Sequence, residues 1–211
     1  MKYIPYSINT GEDNMRIDSE ILDHAINTQE KEAIFRLYGW KPRCVSLGRN
    51  QKDDFLKENI PYVRRLTGGR ALLHDDEVTY CYVAPITSIP NGENITESYK
   101  FISGILIDFF KTLGVTLDYG QNKKVSAKFD YCMLLSTGAD VCYQNRKIIG
   151  SAQCRKNGYI LQHGSILFGY DKDFLEHLFN EKVEGITTVK EILPDMTKEL
   201  FVKRLEDFLK V

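Results

Sequence analysis

The sequence predicts an α+β fold: one domain in which a mixed, largely antiparallel β-sheet is flanked by α-helices. Three observations carry that prediction. Strand-like runs outnumber helical ones across the 211 residues. Most connections between those runs are hairpin-short, whereas the strands of a doubly wound parallel sheet need long crossovers. The segments 14–27 and 98–113 instead repeat apolar residues at helical spacing and supply the flanking helices. A chain of this length can bury roughly 70% of its unfolded surface, enough for one core without disulfide or metal staples.

Taken in order, residues 2–8 form an opening strand. Residues 14–27 follow as a helix with Ile17, Ile21, Leu22, Ala25 and Ile26 on one face. Strands then come quickly, at 32–38, 44–47, 62–65, 71–73 and 78–84, each rich in β-branched or aromatic residues. In the 98–113 helix, Phe101, Ile102, Ile105, Leu106, Phe109 and Phe110 share a broad apolar face, and Gly114 ends it. A short strand is expected at 115–119. From 139 to 168 the pattern is a meander: strands at 139–143, 147–153 and 159–168, joined by turns at Gln144-Asn145 and Asn157-Gly158. Helices at 174–179 and 197–209 complete the chain. No repeat, low-complexity tract or linker divides it.

Composition narrows the function. Hydrophobic residues at 43% and charged residues at 27% are ordinary for a globular domain. A formal net charge of −1 argues against nucleic acid as a partner. No apolar run approaches the roughly 18 residues of a membrane span, and the N-terminus lacks a signal-peptide core, so a cytoplasmic protein that needs no membrane is expected. Five cysteines, Cys44, Cys81, Cys132, Cys142 and Cys154, make a poor disulfide framework because the count is odd. None has CxxC spacing and the four histidines do not cluster with them, so no metal site is expected. A buried cysteine is ordinarily a small hydrophobe.

Two segments depart from ordinary patterning. The first is Arg64-Arg65-Leu66-Thr67-Gly68-Gly69-Arg70-Ala71-Leu72-Leu73-His74-Asp75. Adjacent glycines let backbone amides approach a ligand, and the arginines on both sides can neutralise an anion. A tight hairpin with solvated arginines explains the same residues. It is not a phosphate-binding P-loop, because no GxxxxGK[ST] is present. The second is Asn145-Arg146-Lys147-Ile148-Ile149-Gly150-Ser151-Ala152-Gln153, followed by Gln162-His163-Gly164-Ser165. The small residues Gly150, Ser151 and Ala152 within an apolar strand suggest that something packs closely on that face. Taken alone, Lys147 after a turn is ordinarily solvated, and His163 is ordinarily a hydrogen-bonded structural residue.

The order Asn14-Met15…Asp18, Val45-Ser46-Leu47-Gly48-Arg49-Asn50-Gln51, the arginine–diglycine–histidine segment, and Lys147…Gly150-Ser151-Ala152-Gln153…His163-Gly164 resembles the biotin/lipoate protein ligase catalytic-domain superfamily. Thr67-Gly68-Gly69-Arg70-Ala71 leading to His74-Asp75-Asp76-Glu77-Val78-Thr79-Tyr80 is most similar to the Gram-positive-type octanoyltransferases of its lipoyl branch. The resemblance implies a class II synthetase-like, biotin protein ligase-like catalytic domain over 1–211, without a C-terminal accessory domain. It also implies a nucleophilic cysteine ahead of a lysine. Cys132 stands fifteen residues before Lys147 and eighteen before Gly150, the family's spacing, although residues 133–138 differ from its usual polar and aromatic stretch.

On that resemblance Cys132 and Lys147 are the expected catalytic pair, and Arg65, Gly68, Gly69, His74, Gly150, Ser151, Ala152 and His163 the expected substrate-binding residues. A neighbouring ammonium stabilises a thiolate, and a lysine beside an apolar tunnel can exchange a proton with a thiol, so the pair suits thioester exchange. The implied reaction moves octanoyl from the phosphopantetheine of octanoyl-acyl carrier protein to a lysine of a lipoyl domain or glycine cleavage H protein, with the enzyme acting as a monomer. No ATP, metal or other cofactor is required, because a thioester is already activated. Acyl carrier proteins are acidic, so Arg64, Arg65 and Arg70, or Lys123, Lys124 and Lys128, are expected at a basic docking face. Three alternatives remain open at this stage: an ATP-dependent lipoate-protein ligase, a lipoyl or octanoyl amidotransferase between carrier proteins, and a non-catalytic module that binds lipoylated proteins.

Overall fold

The computed structural model describes residues 1–56, 60–120, 131–134 and 140–210. Ten strands and five helices run in the order β1 (Lys2–Asn9), α1 (Gly11–Thr28), β2 (Ile34–Trp40), β3 (Cys44–Leu47), β4 (Tyr62–Arg64), β5 (Leu72–His74), β6 (Glu77–Pro85), α2 (Ile95–Thr112), β7 (Asp118–Tyr119), β8 (Val141–Tyr143), β9 (Arg146–Lys156), β10 (Tyr159–Leu167), α3 (Lys172–Phe179), α4 (Val189–Ile192) and α5 (Lys198–Leu209). Seven strands form one sheet in the order β1-β2-β6-β10-β9-β8-β7, and β4-β3-β5 form a second, small sheet. Among the described strands, β1 with β2 and β3 with β4 pair in parallel and the other ladders are antiparallel, so the expected mixed, largely antiparallel architecture holds, divided over two sheets.

Turn chemistry sets the register of the meander. Gln144 and Asn145 have φ of 48° and 63°, and Asn157 and Gly158 have 48° and 80°. Two consecutive positive-φ residues make the turn whose twist matches antiparallel strands, so β8–β9 and β9–β10 close as tight hairpins. Strand β9 runs three residues beyond its expected end at Gln153, because β10 keeps pairing with it as far as Tyr159 with Lys156.

Helix starts lie upstream of the apolar periodicity because their caps do. Thr10, Asn94, Asp171 and Thr197 each accept a hydrogen bond from a first-turn amide, so α1, α2 and α3 begin two or three residues before the expected positions and α5 begins one after. Strand β2 is displaced by two residues from 32–38 because Gly39 and Trp40 pair with Ile8 and Asn9 of β1. The strand expected at 115–119 pairs only at Asp118 and Tyr119, although Val115 and Leu117 are buried. Helix α4, absent from the sequence reading, is too short to show a period.

Strand alternation sorts the interior. On one face of the large sheet, Phe35 and Leu37 of β2 and Val78 and Tyr80 of β6 pack with Phe109 and Phe110 of α2 and Phe201 of α5. On the other face, Tyr38, Trp40, Cys81 and Val83 meet Leu22 and Ala25 of α1. The small sheet builds its own cluster, Val45, Leu47 and Leu73 with Leu175 and Phe179 of α3. Asp18, Arg36, Thr79, His163 and Ser165 are buried polar residues on the α1 side, so the large sheet has one apolar face and one face with a polar core.

Phe201 is fully buried, with its ring 5.3 Å from Phe109, 5.7 Å from Phe110 and 6.0 Å from Phe168. Phe201→Ala empties the joint between α5 and the sheet, and a loss of about 3–5 kcal/mol is expected in urea denaturation.

Candidate active site

Three chain segments meet where the small sheet abuts the α1 face of the large one. Cys132 opens a 3-10 turn, Cys132–Leu134. Its amide donates to the Ala71 carbonyl at 2.8 Å, and Tyr131 bridges Ala71 while stacking on Phe179 at 4.7 Å. The cysteine is thus fixed by β5's approach on one side and α3 on the other, and it is only partly buried.

Lys147 lies near the start of β9, and its surroundings reverse the solvated expectation, since only 2% of it is exposed. Its Nζ donates to the Cys132 carbonyl at 3.1 Å and pairs with the Asp140 carboxylate at 3.0 Å. The backbone is held from a third direction: its amide donates to Gly185 and its carbonyl accepts from Thr187. Gly150 leaves room for this. A Cβ there would stand 2.6 Å from Met133 Sδ and 3.1 Å from Lys147 Cε, so a side chain at 150 would displace one or both of these flexible chains.

Arg65 is the hub of the opposite wall. Nη1 donates to the Ser46 carbonyl at 2.7 Å and to Ser46 Oγ at 2.8 Å. Nη2 donates to the carbonyls of Gly68 at 3.1 Å and Arg70 at 2.9 Å, and Nε reaches Thr67 Oγ1 at 3.4 Å. The two hydroxyls lead to the two histidines. Ser46 Oγ is 2.6 Å from His74 Nε2, and His74 Nδ1 bonds the Glu77 carboxylate. Thr67 Oγ1 is 2.7 Å from His163 Nε2, and His163 Nδ1 is 3.1 Å from Asp18 Oδ2. A carboxylate can only accept, so Nδ1 carries the proton in both rings and Nε2 faces the hydroxyl. Asp18 is itself held by Arg36 at 2.6 Å and by the Tyr38 hydroxyl at 2.8 Å.

Burial pulls the His74 pKa below its ordinary value, with Glu77 opposing the shift, and the ring stacks on Trp40 at 3.7 Å. Burial likewise lowers the pKa of the Arg65 guanidinium. It pushes the Cys44 thiol up to about 12, the Cys81 thiol well above its usual range, and the Cys154 thiol upward too. Those three are poor nucleophiles for that reason.

One cavity joins these groups. Arg65, His74, Cys132, Gly150, Ser151, Ala152 and His163 all line it, together with apolar Met15, Trp40, Leu72 and Met133, and its walls are predominantly apolar. Gly68 and Gly69 stand behind Arg65 instead of on that wall: Gly68 supplies the carbonyl that Arg65 binds, and Gly69, at φ 97°, packs its carbonyl where a Cβ on Gly48 would stand. Arg65 is buried and cannot join a docking face, whereas Arg64 is exposed and Arg70 half-buried. Lys123, Lys124 and Lys128 lie outside the described residues, as does 135–138 of the variant stretch. Asp140, Ser46, Thr67 and Glu77 complete the site; Ser46, Thr67 and Glu77 stand in the quoted motifs without having been given a role, and Asp140 carries no local signal. Among the described residues no three metal-ligating side chains are grouped, and no helix is long and apolar enough to cross a membrane.

Comparison with known proteins places the chain in a family. Residues 10–210 match the lipoyl protein ligase A/B catalytic domain. The chain belongs to this family. Within it, the chain is 36% identical over 197 residues to octanoyltransferase LipM of Staphylococcus epidermidis, across 85% of this chain and 71% of that protein. It is 35% identical over 179 residues to octanoyltransferase LipM of Clostridioides difficile, across 80% of this chain and 66% of that one. In fold, the crystal structure of a lipoate-protein ligase A bound with ATP superposes with a TM-score of 0.73 at 22% identity, covering 99% of this chain and 83% of that one. A bipartite lipoate protein ligase from Thermoplasma acidophilum does so at 0.68 and 19%, covering 100% and 83%.

Two expectations follow for the family's site in this chain. Asp140→Ala leaves a buried ammonium without its carboxylate and is expected to cost about 3–5 kcal/mol in denaturant titration, with Asp140→Asn costing less. His74 gives the stability a pH dependence. Its folded pKa lies below the unfolded value of 6.5, so the unfolded chain binds the proton first as pH falls. Its contribution is complete above about pH 6.5 and is lost on acidification through the lower folded value. Urea midpoints measured from pH 7.5 to 5 should fall more steeply for the native chain than for His74→Gln.

Proposed function

We propose that this chain is an octanoyltransferase of lipoate biosynthesis. It takes octanoyl from the phosphopantetheine arm of acyl carrier protein and delivers it, through a thioester on Cys132, to the ε-amino group of a lysine on a lipoyl domain or glycine cleavage H protein. The observation that carries this reading is the meeting of Cys132 and Lys147 beside an apolar cavity, with Lys147 Nζ 3.1 Å from the Cys132 carbonyl. The likeness to octanoyltransferases over most of the chain supports it.

Each step then has a residue. The Cys132 thiolate attacks the thioester carbonyl, forming a new carbon–sulfur bond and a tetrahedral oxyanion. Collapse breaks the bond to the pantetheine sulfur, which leaves with the proton from Lys147. The acceptor amine attacks the acyl-enzyme, Lys147 takes the proton that the amine gives up, and Cys132 departs as thiolate, restoring the start. Asp140 holds the Lys147 ammonium in place between turnovers. Strand β8 pairs with β9 no further than Ile149, so from Gly150 onward β9 has an edge with no strand of the described residues beside it. Alternate amides along Gly150, Ser151 and Ala152 face that edge and are donors for the oxyanion. The octanoyl chain lies along Trp40, Leu72 and Met133. A thioester is already activated, so the sequence of steps uses no ATP. Arg64, exposed, and Arg70, half-buried, suit an acidic carrier.

Incubation with octanoyl-acyl carrier protein in the absence of ATP is expected to add the mass of one octanoyl group to the intact chain, and Cys132→Ala to abolish the adduct. Absence of the adduct, with octanoylation of a lipoyl domain only when ATP is supplied, would replace this reading by a ligase. Lys147→Ala should slow acylation by about 10²–10⁴ at neutral pH, with partial recovery as the pH rises. An unchanged rate removes Lys147 from the mechanism.

A further inference from the structure

Arg65 presents a buried positive charge whose contacts among the described residues are all neutral. Its five N–H donors go to three backbone carbonyls and two hydroxyls, and no carboxylate of the described residues touches it. Glu77 and Asp18 stand at the far ends of the two relays, each separated from the guanidinium by a histidine and a hydroxyl. Asp18 is already paired with Arg36. The other cation near Cys132, Lys147, has Asp140 at 3.0 Å. A charge taken out of water costs several kcal/mol unless an opposite charge or a dense set of dipoles compensates it. Here dipoles hold the guanidinium while its field extends into the cavity that it shares with Cys132.

We propose that Arg65 is the fixed counter-ion for the negative charge that appears at Cys132, first as thiolate and then as the tetrahedral oxyanion, with the Glu77–His74–Ser46 and Asp18–His163–Thr67 relays holding it in register. The oxyanion part rests on the octanoyltransferase reading; the thiolate part does not. Because all five donors are occupied, Arg65 acts through its field and never moves to bind the anion. That property suits a charge that forms and vanishes twice per turnover, since a preoriented cation needs no reorganisation. Among the influences on the guanidinium, the anionic form of Cys132 is the foremost of those favouring its charged state, ahead of Tyr38 and Tyr99.

The test compares two alkylating reagents of similar size, anionic iodoacetate and neutral iodoacetamide, with modification of Cys132 followed by peptide mass at one pH. A cation in the cavity favours the anionic reagent, so the iodoacetate-to-iodoacetamide rate ratio measures the field. Arg65→Met is expected to lower that ratio about tenfold and Arg65→Lys to retain most of it. Glu77→Gln removes the carboxylate that partly offsets the guanidinium, so it should raise the ratio by a few-fold; it also gives an independent readout should Arg65→Met fail to fold. A ratio unchanged in Arg65→Met, or lowered in Glu77→Gln, overturns the proposal, because a merely structural arginine would alter both reagents alike. The readout needs no acyl donor. A shifted ratio without acylation of any variant leaves the counter-ion intact and overturns the octanoyl reading. An unshifted ratio with normal acylation of the native chain does the reverse.

Discussion

The buried guanidinium of Arg65 is the constraint around which the two sheets are assembled. An arginine removed from water needs an acceptor for every N–H, and no single element can offer five. The small sheet supplies the Ser46 carbonyl and hydroxyl, and the loop after β4 supplies the Gly68 and Arg70 carbonyls and the Thr67 hydroxyl. Each hydroxyl must then dispose of its own proton, and each does so on a histidine anchored to the large sheet or its approach. His163 sits on β10 and His74 at the end of β5, with Glu77 beginning β6. Satisfying one side chain therefore ties four strands and α1 together. Among the described residues no buried side-chain nitrogen or oxygen lacks a partner, which is the condition for a polar core of this size to be tolerated.

The proposed catalytic pair, Cys132 and Lys147, depends on a second, separate joint. Lys147 reaches Cys132 because β9 passes beneath the 131–134 turn, and the missing side chain at residue 150 leaves room for Met133 and Lys147 side by side. Asp140, just ahead of β8, closes the far side of the lysine. Two cations of different kinds thus stand near Cys132, Lys147 at its carbonyl and Arg65 in the cavity wall. One is paired with a carboxylate and sits against the cysteine backbone, suited to exchanging a proton. The other is held by neutral dipoles and is suited to bearing a field. Separating those duties avoids asking one group both to lose its proton and to keep its charge.

What the sequence disclosed and what it hid follow the range of the interactions involved. The hairpins were legible because Gln144-Asn145 and Asn157-Gly158 carry their turn type in two adjacent residues, and the large helices because α2's apolar face repeats within the helix itself. The short α4 has too few residues to show a period, and the caps shift helix starts by an amount that apolar spacing does not record. The cysteine and lysine could be named from the family resemblance, but the burial of Lys147 could not. Locally it is a lysine after a turn, and only Asp140 and the Cys132 carbonyl, brought in by the fold, make it otherwise. Ser46, Thr67 and Asp18 escaped assignment for the same reason: their partners lie 28, 96 and 145 residues away.

The polar hub also has a thermodynamic logic. Buried ionic networks of this kind commonly contribute less to stability than apolar residues of equal volume would, because desolvation offsets their attraction. The fold therefore rests its stability elsewhere, on the Phe109, Phe110 and Phe201 cluster across the opposite face of the large sheet. Placing the apolar core and the charged core on opposite faces of one sheet lets the first bear the cost of the second. It also isolates the cavity's field from the part of the molecule that must pack tightly. A substitution in the aromatic cluster should therefore act on folding and leave the site's chemistry alone, whereas one in the Arg65 relays changes the potential felt at Cys132 even where the fold survives.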